Sequence, residues 1–311
     1  MLDSFEARLP PPDFAIVGAP KCGTTALWSY LATHPGIAMS ARKEPRFWSS
    51  DLYPASFRIS DRTSYDALWA DAPPHALRGE ASPVYLQSRV AVPALLAARP
   101  DVRLIAMIRN PAEMVASLHS SLVVRFQEDV ADLESAWRLQ ERRIRGEALP
   151  RHCIEPAHLQ YRANAAIGDM LERFLDTTPP EQRVVIVHDD LRTDTRQEYL
   201  RVLRLLGVDD DGRQCFPPVN GNLALRWAGL ADFQQWLRGR MLYKPARAIA
   251  HAVGIRPFYS MVEANRRSVP RKPLRAGFEE ELIGEFLPQI EKAERLLGRN
   301  FAAWKKPRAK A

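Results

Sequence analysis

Four apolar residues, Phe14-Ala-Ile-Val17, run directly into Gly18, and a helix-like segment, Ala26-Leu-Trp-Ser-Tyr-Leu31, opens eight residues later. A short continuous apolar run reads as a strand buried on both faces, and strand, glycine loop, helix is the opening unit of an α/β fold. The connection holds Lys21, Cys22, Gly23, Thr24 and Thr25. A helix N-terminus reached through such a loop presents N–H groups and a positive dipole end to an anion. The amides of residues 21 to 25 are therefore a candidate phosphate cradle, with Lys21 as a mobile charge and Thr24 and Thr25 as hydroxyl donors. Gly18 and Gly23 have the spacing of the nucleoside-triphosphate loop G-x-x-x-x-G-K-[ST], yet Thr24 stands where its lysine belongs and the lysine is displaced to position 21. Taken alone, Gly23-Thr24-Thr25 would serve equally as a turn and helix N-cap.

Further along, Gly36–Ser40 reads as a weak strand, and residues 49–75 as loop with one short helix near Tyr65–Trp69. Residues 78–86 begin as a strand and pass into a helix reaching Ala98. Val102-Arg-Leu-Ile-Ala-Met-Ile108 is the clearest buried strand, and Pro111 suits the first position of the next helix. Residues 132–145 and 156–176 read as helical, Val184–Val187 as a strand, and 193–206 as a helix closed by Gly207. The alternation predicts an α/β fold with a central parallel sheet flanked by helices, the core covering about 13–215 of a single domain spanning 1–311. Beyond Pro217-Pro218 no strand signal stands out. Residues 220–311 read as a helical cap, with helices at about 224–238, 241–253 and 277–297, the last ending at Gly298.

Hydrophobic residues make up 46% of the chain and charged ones 26%, enough for a sizeable core. No apolar run reaches the ~18 residues of a membrane-spanning helix, and the first ten residues lack the apolar stretch of a secretory signal. Three scattered cysteines (Cys22, Cys153, Cys215) fit neither a disulfide framework nor a zinc site, and suit a cytoplasmic protein. The net charge of +7 comes from basic residues that are mostly dispersed, which argues against nucleic acid as partner.

A second anion site is suggested at Arg109-Asn-Pro-Ala-Glu-Met-Val-Ala-Ser117. Arg109 follows the clearest strand, where open α/β folds bind ligands, and Ser117 lies about two helical turns further on. An arginine with a hydroxyl donor suits a second phosphate. Arg109 could instead pair with Glu113.

Together the two sites resemble the 5′-phosphosulfate loop and the 3′-phosphate motif of sulfotransferases that use 3′-phosphoadenosine-5′-phosphosulfate (PAPS). Lys43-Glu-Pro-Arg-Phe-Trp48 is similar to a Lys-Glu-Pro-x-Phe-Phe segment of bacterial members, and Glu44 matches the catalytic base of heparan-sulfate-type members. Gly79-Glu-Ala-Ser-Pro-Val-Tyr85, His188-Asp-Asp-Leu191 and Leu296-Leu-Gly-Arg-Asn-Phe-Ala-Ala-Trp304 also resemble stretches of that branch, in the same order. The resemblance implies sulfuryl transfer from PAPS, with PAP (3′-phosphoadenosine-5′-phosphate) as product, to a hydroxyl or amine of a glycan, lipid or small metabolite. It implies that Lys21 stabilises the leaving 5′-phosphate and Glu44 takes the acceptor's proton. Residues 21–25 would hold the 5′ end, and Arg109 and Ser117 the 3′-phosphate, with no metal required. Arg271 and Lys272 would close on the 3′-phosphate, although an exposed basic turn explains that pair equally well. Without the resemblance Glu44 reads as a salt bridge with Lys43 or Arg46. His119 and His34 are weaker alternatives for the base. The competing readings are a P-loop kinase or NTPase and a nucleotide-binding relative without turnover.

Overall fold

The computed structural model describes residues 11–219, 223–225, 266–268 and 274–307. Five strands form one sheet: β1 (Phe14–Gly18), β2 (Ile37–Met39), β3 (Leu77–Ala81), β4 (Arg103–Ile108) and β5 (Arg183–Val187). Their order is β2-β3-β1-β4-β5 and every pairing is parallel. Phe14, Ala15, Ile16 and Val17 are wholly buried in the central strand, as covered faces require. Register sets Ile16 opposite Ala81 on one side and opposite Ile105 on the other.

The connections place the functional edge. After β1 the chain runs through α1 (Thr24–Leu31) toward β2, whereas after β4 it runs through α4 (Pro111–Val124) toward β5 on the opposite side. The loops leaving β1 and β4 therefore diverge, which opens a crevice at the carboxyl ends of these adjacent strands. Asn110 caps α4 by accepting from the Ala112 amide at 3.0 Å, and Pro111 occupies its first turn.

Elsewhere the helices are more interrupted than the sequence suggests. The helix expected up to Ala98 is instead a 3₁₀ turn, Pro83–Leu86, followed after a break by α3 (Ala91–Ala98). Ser88 makes the break: its hydroxyl accepts from the amides of Val90 and Ala91 and donates to Asp51 at 2.6 Å. Near Tyr65 the short helix is α2 (Arg62–Asp66), continued by a 3₁₀ turn through Trp69. Residues 132–145 form two pieces, α5 (Leu133–Arg138) and α6 (Gln140–Ile144), and 156–176 resolve into a 3₁₀ turn, α7 (Tyr161–Asn164) and α8 (Ile167–Thr177). After β5 come α9 (His188–Thr193) and α10 (Thr195–Leu206), with Gly207 in the left-handed C-cap position.

In the region read as wholly helical, Leu223–Leu225 (β6) pairs antiparallel with Arg266–Ser268 (β7). A helix beginning at 224 is thus corrected to a strand; three residues carry no periodicity, and the partner lies about 40 residues away. The remainder of the two expected helices, and both Arg271 and Lys272, lie outside the described residues. The last helix, α11 (Ala276–Leu297), ends at left-handed Gly298 and packs on α8, where Gln289 and Lys292 both bond the Asp169 carboxylate. No described helix is long and apolar enough to cross a membrane.

Candidate active site

A cavity of about 730 Å³ opens at the crevice where the β1 and β4 connections part. Lys21, Gly23, Thr24, Thr25, Arg109 and Ser117 line one part of it, and Glu44 another. Two glycines shape the loop after β1. At Gly18, with φ +133°, a Cβ would sit 1.9 Å from the carbonyl oxygen of Pro83. At Gly23, with φ +91°, a Cβ would press at 3.2–3.3 Å on Leu191 and His188 of α9. Only glycine accepts both the backbone conformation and the approach. Lys21 also has positive φ, at 67°.

Gly23 is the N-cap of α1, so the first amides of that helix have no intrahelical acceptor and face the cavity with the positive dipole end. Cys22 differs from its neighbours. Its side chain is fully buried in the core, burial pushes the thiol up to about 12, and only its main chain belongs to the loop.

Arg109 has both relationships that its sequence position allowed. Its Nε and Nη2 donate to Glu113 Oε2 at 2.8 and 2.5 Å, while Nη1 donates to the main-chain oxygen of Lys21 at 3.2 Å. The guanidinium is thus held rigidly at the cavity wall. Ser117 and Ser121 lie on the same face of α4, one turn apart, and both reach the cavity.

Glu44 stands on a loop laced to the extension of β3. Its amide donates to the Ala81 oxygen at 3.0 Å, the Arg46 amide to Ser82 Oγ at 3.0 Å, and the Trp48 amide to the Tyr85 hydroxyl at 3.3 Å. Glu44 and Arg46 flank Pro45 with φ of 59° and 58°. Left-handed conformations at two non-glycine residues cost energy, and they persist here because the neighbouring bonds over-determine them. The Glu44 carboxylate accepts from Lys43 Nζ at 3.0 Å and Arg46 Nη2 at 2.7 Å. Burial pushes this acid up, but the two cations outweigh it and hold the carboxyl at about 2. The salt bridges and the cavity-lining position therefore coexist.

Several lining residues were not singled out as site residues in the sequence, although His188, Leu191 and Arg46 fall within stretches that resemble the family. His188, Leu191 and Arg192 enter from α9, Arg46 from the Glu44 loop, Arg125 from the end of α4 and His158 from the 3₁₀ turn Pro156–Leu159. His188 follows β5 directly, so the strand-end rule that singled out Arg109 would also have found it. Burial lowers the His188 pKa, and Arg109 adds to this, while Asp189 opposes it. Asp189 in turn accepts from the Trp304 indole at 2.7 Å, and Asp190 pairs with Arg299, so the C-terminal segment is latched to α9. His34 and His119 line no part of this cavity. His34 bonds the Gly36 amide and the Asp209 oxygen, and His119 bonds the Val130 oxygen.

A family model described as a sulfotransferase domain matches residues 11–214, more than half of the chain. Similar proteins include the membrane-associated sulfotransferase kil1 of Dictyostelium discoideum, 32% identical over 102 residues (33% of this chain, 21% of that protein). Human bifunctional heparan sulfate N-deacetylase/N-sulfotransferase 3 is 26% identical over 216 residues (63% and 22%). Human carbohydrate sulfotransferase 15 is 30% identical over 147 residues (34% and 26%), so the matched part spans about a fifth to a quarter of these curated relatives. Among solved structures, a sulfotransferase from Alicyclobacillus acidocaldarius shares the fold, with a TM-score of 0.71, 24% identity, and coverage of 96% of this chain and 100% of that one. By fold and by the family match across its α/β core, the chain belongs to the sulfotransferase family.

Proposed function

We propose that the chain transfers a sulfuryl group from PAPS to a hydroxyl or amine of a glycan, lipid or small-metabolite acceptor. The observation that carries this reading is the sharing of one cavity by two separate anion cradles and a carboxylate. The cradles are the loop 21–25 and the Arg109–Ser117 face, and the carboxylate is Glu44. A donor with phosphates at both the 5′ and 3′ positions needs two such cradles, whereas ATP needs one extended cradle and a metal-binding aspartate. Thr24 and Arg109 occupy the positions where a P-loop enzyme needs its lysine and that aspartate.

In this reaction the bond from sulfur to the bridging oxygen of the 5′-phosphate breaks as the acceptor's oxygen or nitrogen bonds to sulfur. The electron pair stays on the phosphate oxygen, where Lys21 and the α1 N-terminus stabilise the developing charge. The acceptor's proton passes to Glu44. A carboxylate at about 2 is a weak base toward a free alcohol. It becomes an adequate one as the attacking oxygen bonds to sulfur and its proton turns strongly acidic, so proton transfer is late. Three free thiols, Cys22, Cys153 and Cys215, suit a reducing compartment such as the cytoplasm.

The deciding experiment compares thermal stabilisation by PAP with that by ATP and Mg²⁺, followed by transfer from ³⁵S-labelled PAPS to an acceptor panel. Stabilisation by PAP and labelled product are expected. Stabilisation by ATP and Mg²⁺ alone overturns the reading in favour of a kinase or NTPase, and PAP binding with no transfer across the panel favours a relative without turnover.

A further inference from the structure

Away from the glycine loop, the described residues of the cavity wall include two arginines and one carboxylate. Arg46 reaches Glu44 through Nη2, lies over the Tyr53 ring with its guanidinium carbon 4.4 Å from the centroid, and has a buried Nε without a hydrogen-bond partner. Arg125, just past the end of α4, lines the same cavity, and among the described residues its side chain enters no hydrogen bond or ion pair. His158 lines the same cavity, its ring 4.8 Å from that of Tyr53. Burial, then Arg46 and Arg125, hold its imidazole at about 4, so it is neutral and both guanidiniums act on the same small volume. Among the described residues, the carboxylates nearby are Glu44, which already serves Lys43 and Arg46, and Glu155, which acts on Tyr53. A partly enclosed wall with excess positive charge concentrates anions.

We propose that the acceptor carries a fixed anionic group, a carboxylate or sulfate ester, beside its reacting hydroxyl or amine, and that Arg46 and Arg125 receive it. This rests on the sulfotransferase reading and names the acceptor class for the same site. Tyr53 and His158, their rings tilted 44° to each other, line the wall beside the two guanidiniums. The arrangement also couples recognition to catalysis, because Arg46 is shared. An anionic acceptor competes with Glu44 for the Arg46 guanidinium, and each step of that exchange removes a partner that holds Glu44 a weak base. A neutral acceptor leaves Arg46 on Glu44. Arg46 is thus a specificity-determining group that also sets the strength of the base.

The test uses the full chain, with and without saturating PAP. Methyl β-D-glucuronide, a sulfated methyl β-D-glucoside and neutral methyl β-D-glucoside are titrated by calorimetry. At least one anionic glycoside is expected to bind about ten-fold or more tightly than the neutral one, the difference one charge-assisted contact supplies. Arg46→Met and Arg125→Met should each shrink that ratio while PAP affinity holds; Arg125 is exposed, so its variant tests the charge with the fold intact. Equal binding of charged and neutral glycosides, binding of none, or a preference that survives both substitutions overturns the proposal. Failure of PAP itself to bind overturns the donor reading instead, and the titrations without PAP still decide the anion preference.

Discussion

Arg109 donates from Nη1 to the main-chain oxygen of Lys21 at 3.2 Å, so the loop that leaves β4 is tied to the loop that leaves β1 at the point where their chain paths diverge. Its other nitrogens are occupied by Glu113. A guanidinium fixed on two sides is pre-organised, and ligand binding then costs little side-chain entropy. The same contact means that whatever binds at Arg109 also bears on the position of Lys21.

This arrangement predicts a ligand-specific loss. Arg109→Met should weaken PAP binding by about ten- to a hundred-fold, the range for a hydrogen-bonded charge pair. Binding of 5′-AMP, which lacks the 3′-phosphate, should change by less than about three-fold by the same reasoning. Isothermal titration with the two nucleotides measures the ratio. Equal losses on both would assign Arg109 to holding the Lys21 loop rather than to the 3′-phosphate.

The close approach at Gly18 predicts a stability effect with an internal control. Gly18→Ala sets a methyl 1.9 Å from the Pro83 oxygen at φ +133°, and the atom it meets is main chain rather than the end of a flexible side chain. Overpacking and backbone strain together should cost about 3 kcal/mol or more in urea denaturation. Gly146→Ala, at φ +78° with nothing within 4 Å of the added carbon, should cost only about 1 kcal/mol. Similar costs for the two would show that positive φ alone, and not the contact with Pro83, governs position 18.

Other glycines mark where the sequence was readable. β1, β4 and β5 announce themselves as continuous apolar runs because a parallel sheet buries both faces, and Gly207 and Gly298 end their helices in the left-handed conformation that makes glycine a stop signal. The break before α3 was not readable. It depends on Ser88 meeting Asp51, 37 residues away, and helix propensity does not register such a partner. The site divides in the same way. Lys21, Gly23, Thr24, Thr25, Arg109 and Ser117 follow strand ends with recognisable spacing, and the structure gathers them with Glu44 around one cavity, while the Cys22 side chain is turned into the core. Arg46, Arg125 and His158 come from the Glu44 loop, the end of α4 and a 3₁₀ turn, and only tertiary packing brings them together.

Beneath the Glu44 loop, Glu80 on β3 is wholly buried with the Tyr65 and Tyr85 hydroxyls, both of which accept from Trp48. Burial pushes its carboxyl up to about 8, against an ordinary 4.5, and the tyrosines pull it back only in part. Because the folded pKa is the higher one, the native state binds the extra proton between these values. The contribution is complete below about pH 4.5, declines as pH rises through 8, and is flat beyond. Glu80→Gln keeps a neutral hydrogen-bonding side chain and removes this titration. The variant should match the parent near pH 5 and exceed it in stability at pH 8, by an amount on the order of a few kcal/mol. Parallel stability–pH curves for parent and variant would show that Glu80 does not titrate in this range.

Glu44 has the opposite sign. Lys43 and Arg46 overcome burial and hold it at about 2, so its contribution to stability is present above the ordinary 4.5 and is lost only as pH falls through the folded value. In the proposed role of base it is ionised at any pH well above about 2. kcat/KM, which reports the free enzyme, should therefore show no acid limb from Glu44 down to about pH 4. Glu44→Gln should lower kcat by about 10²–10⁴-fold while leaving PAP affinity intact, as expected for loss of a positioned base. Lys21→Ala should lower kcat by about 10²–10³-fold, the range for removal of one group that stabilises developing negative charge. Transfer of ³⁵S from labelled PAPS to an accepted substrate measures both, and calorimetry with PAP separates binding from chemistry. Unchanged kcat in Glu44→Gln would remove Glu44 from proton transfer. An acid limb below neutral pH that persists in that variant would move the role to another titrating group on the cavity wall, with His188, whose pKa burial lowers, the first to test.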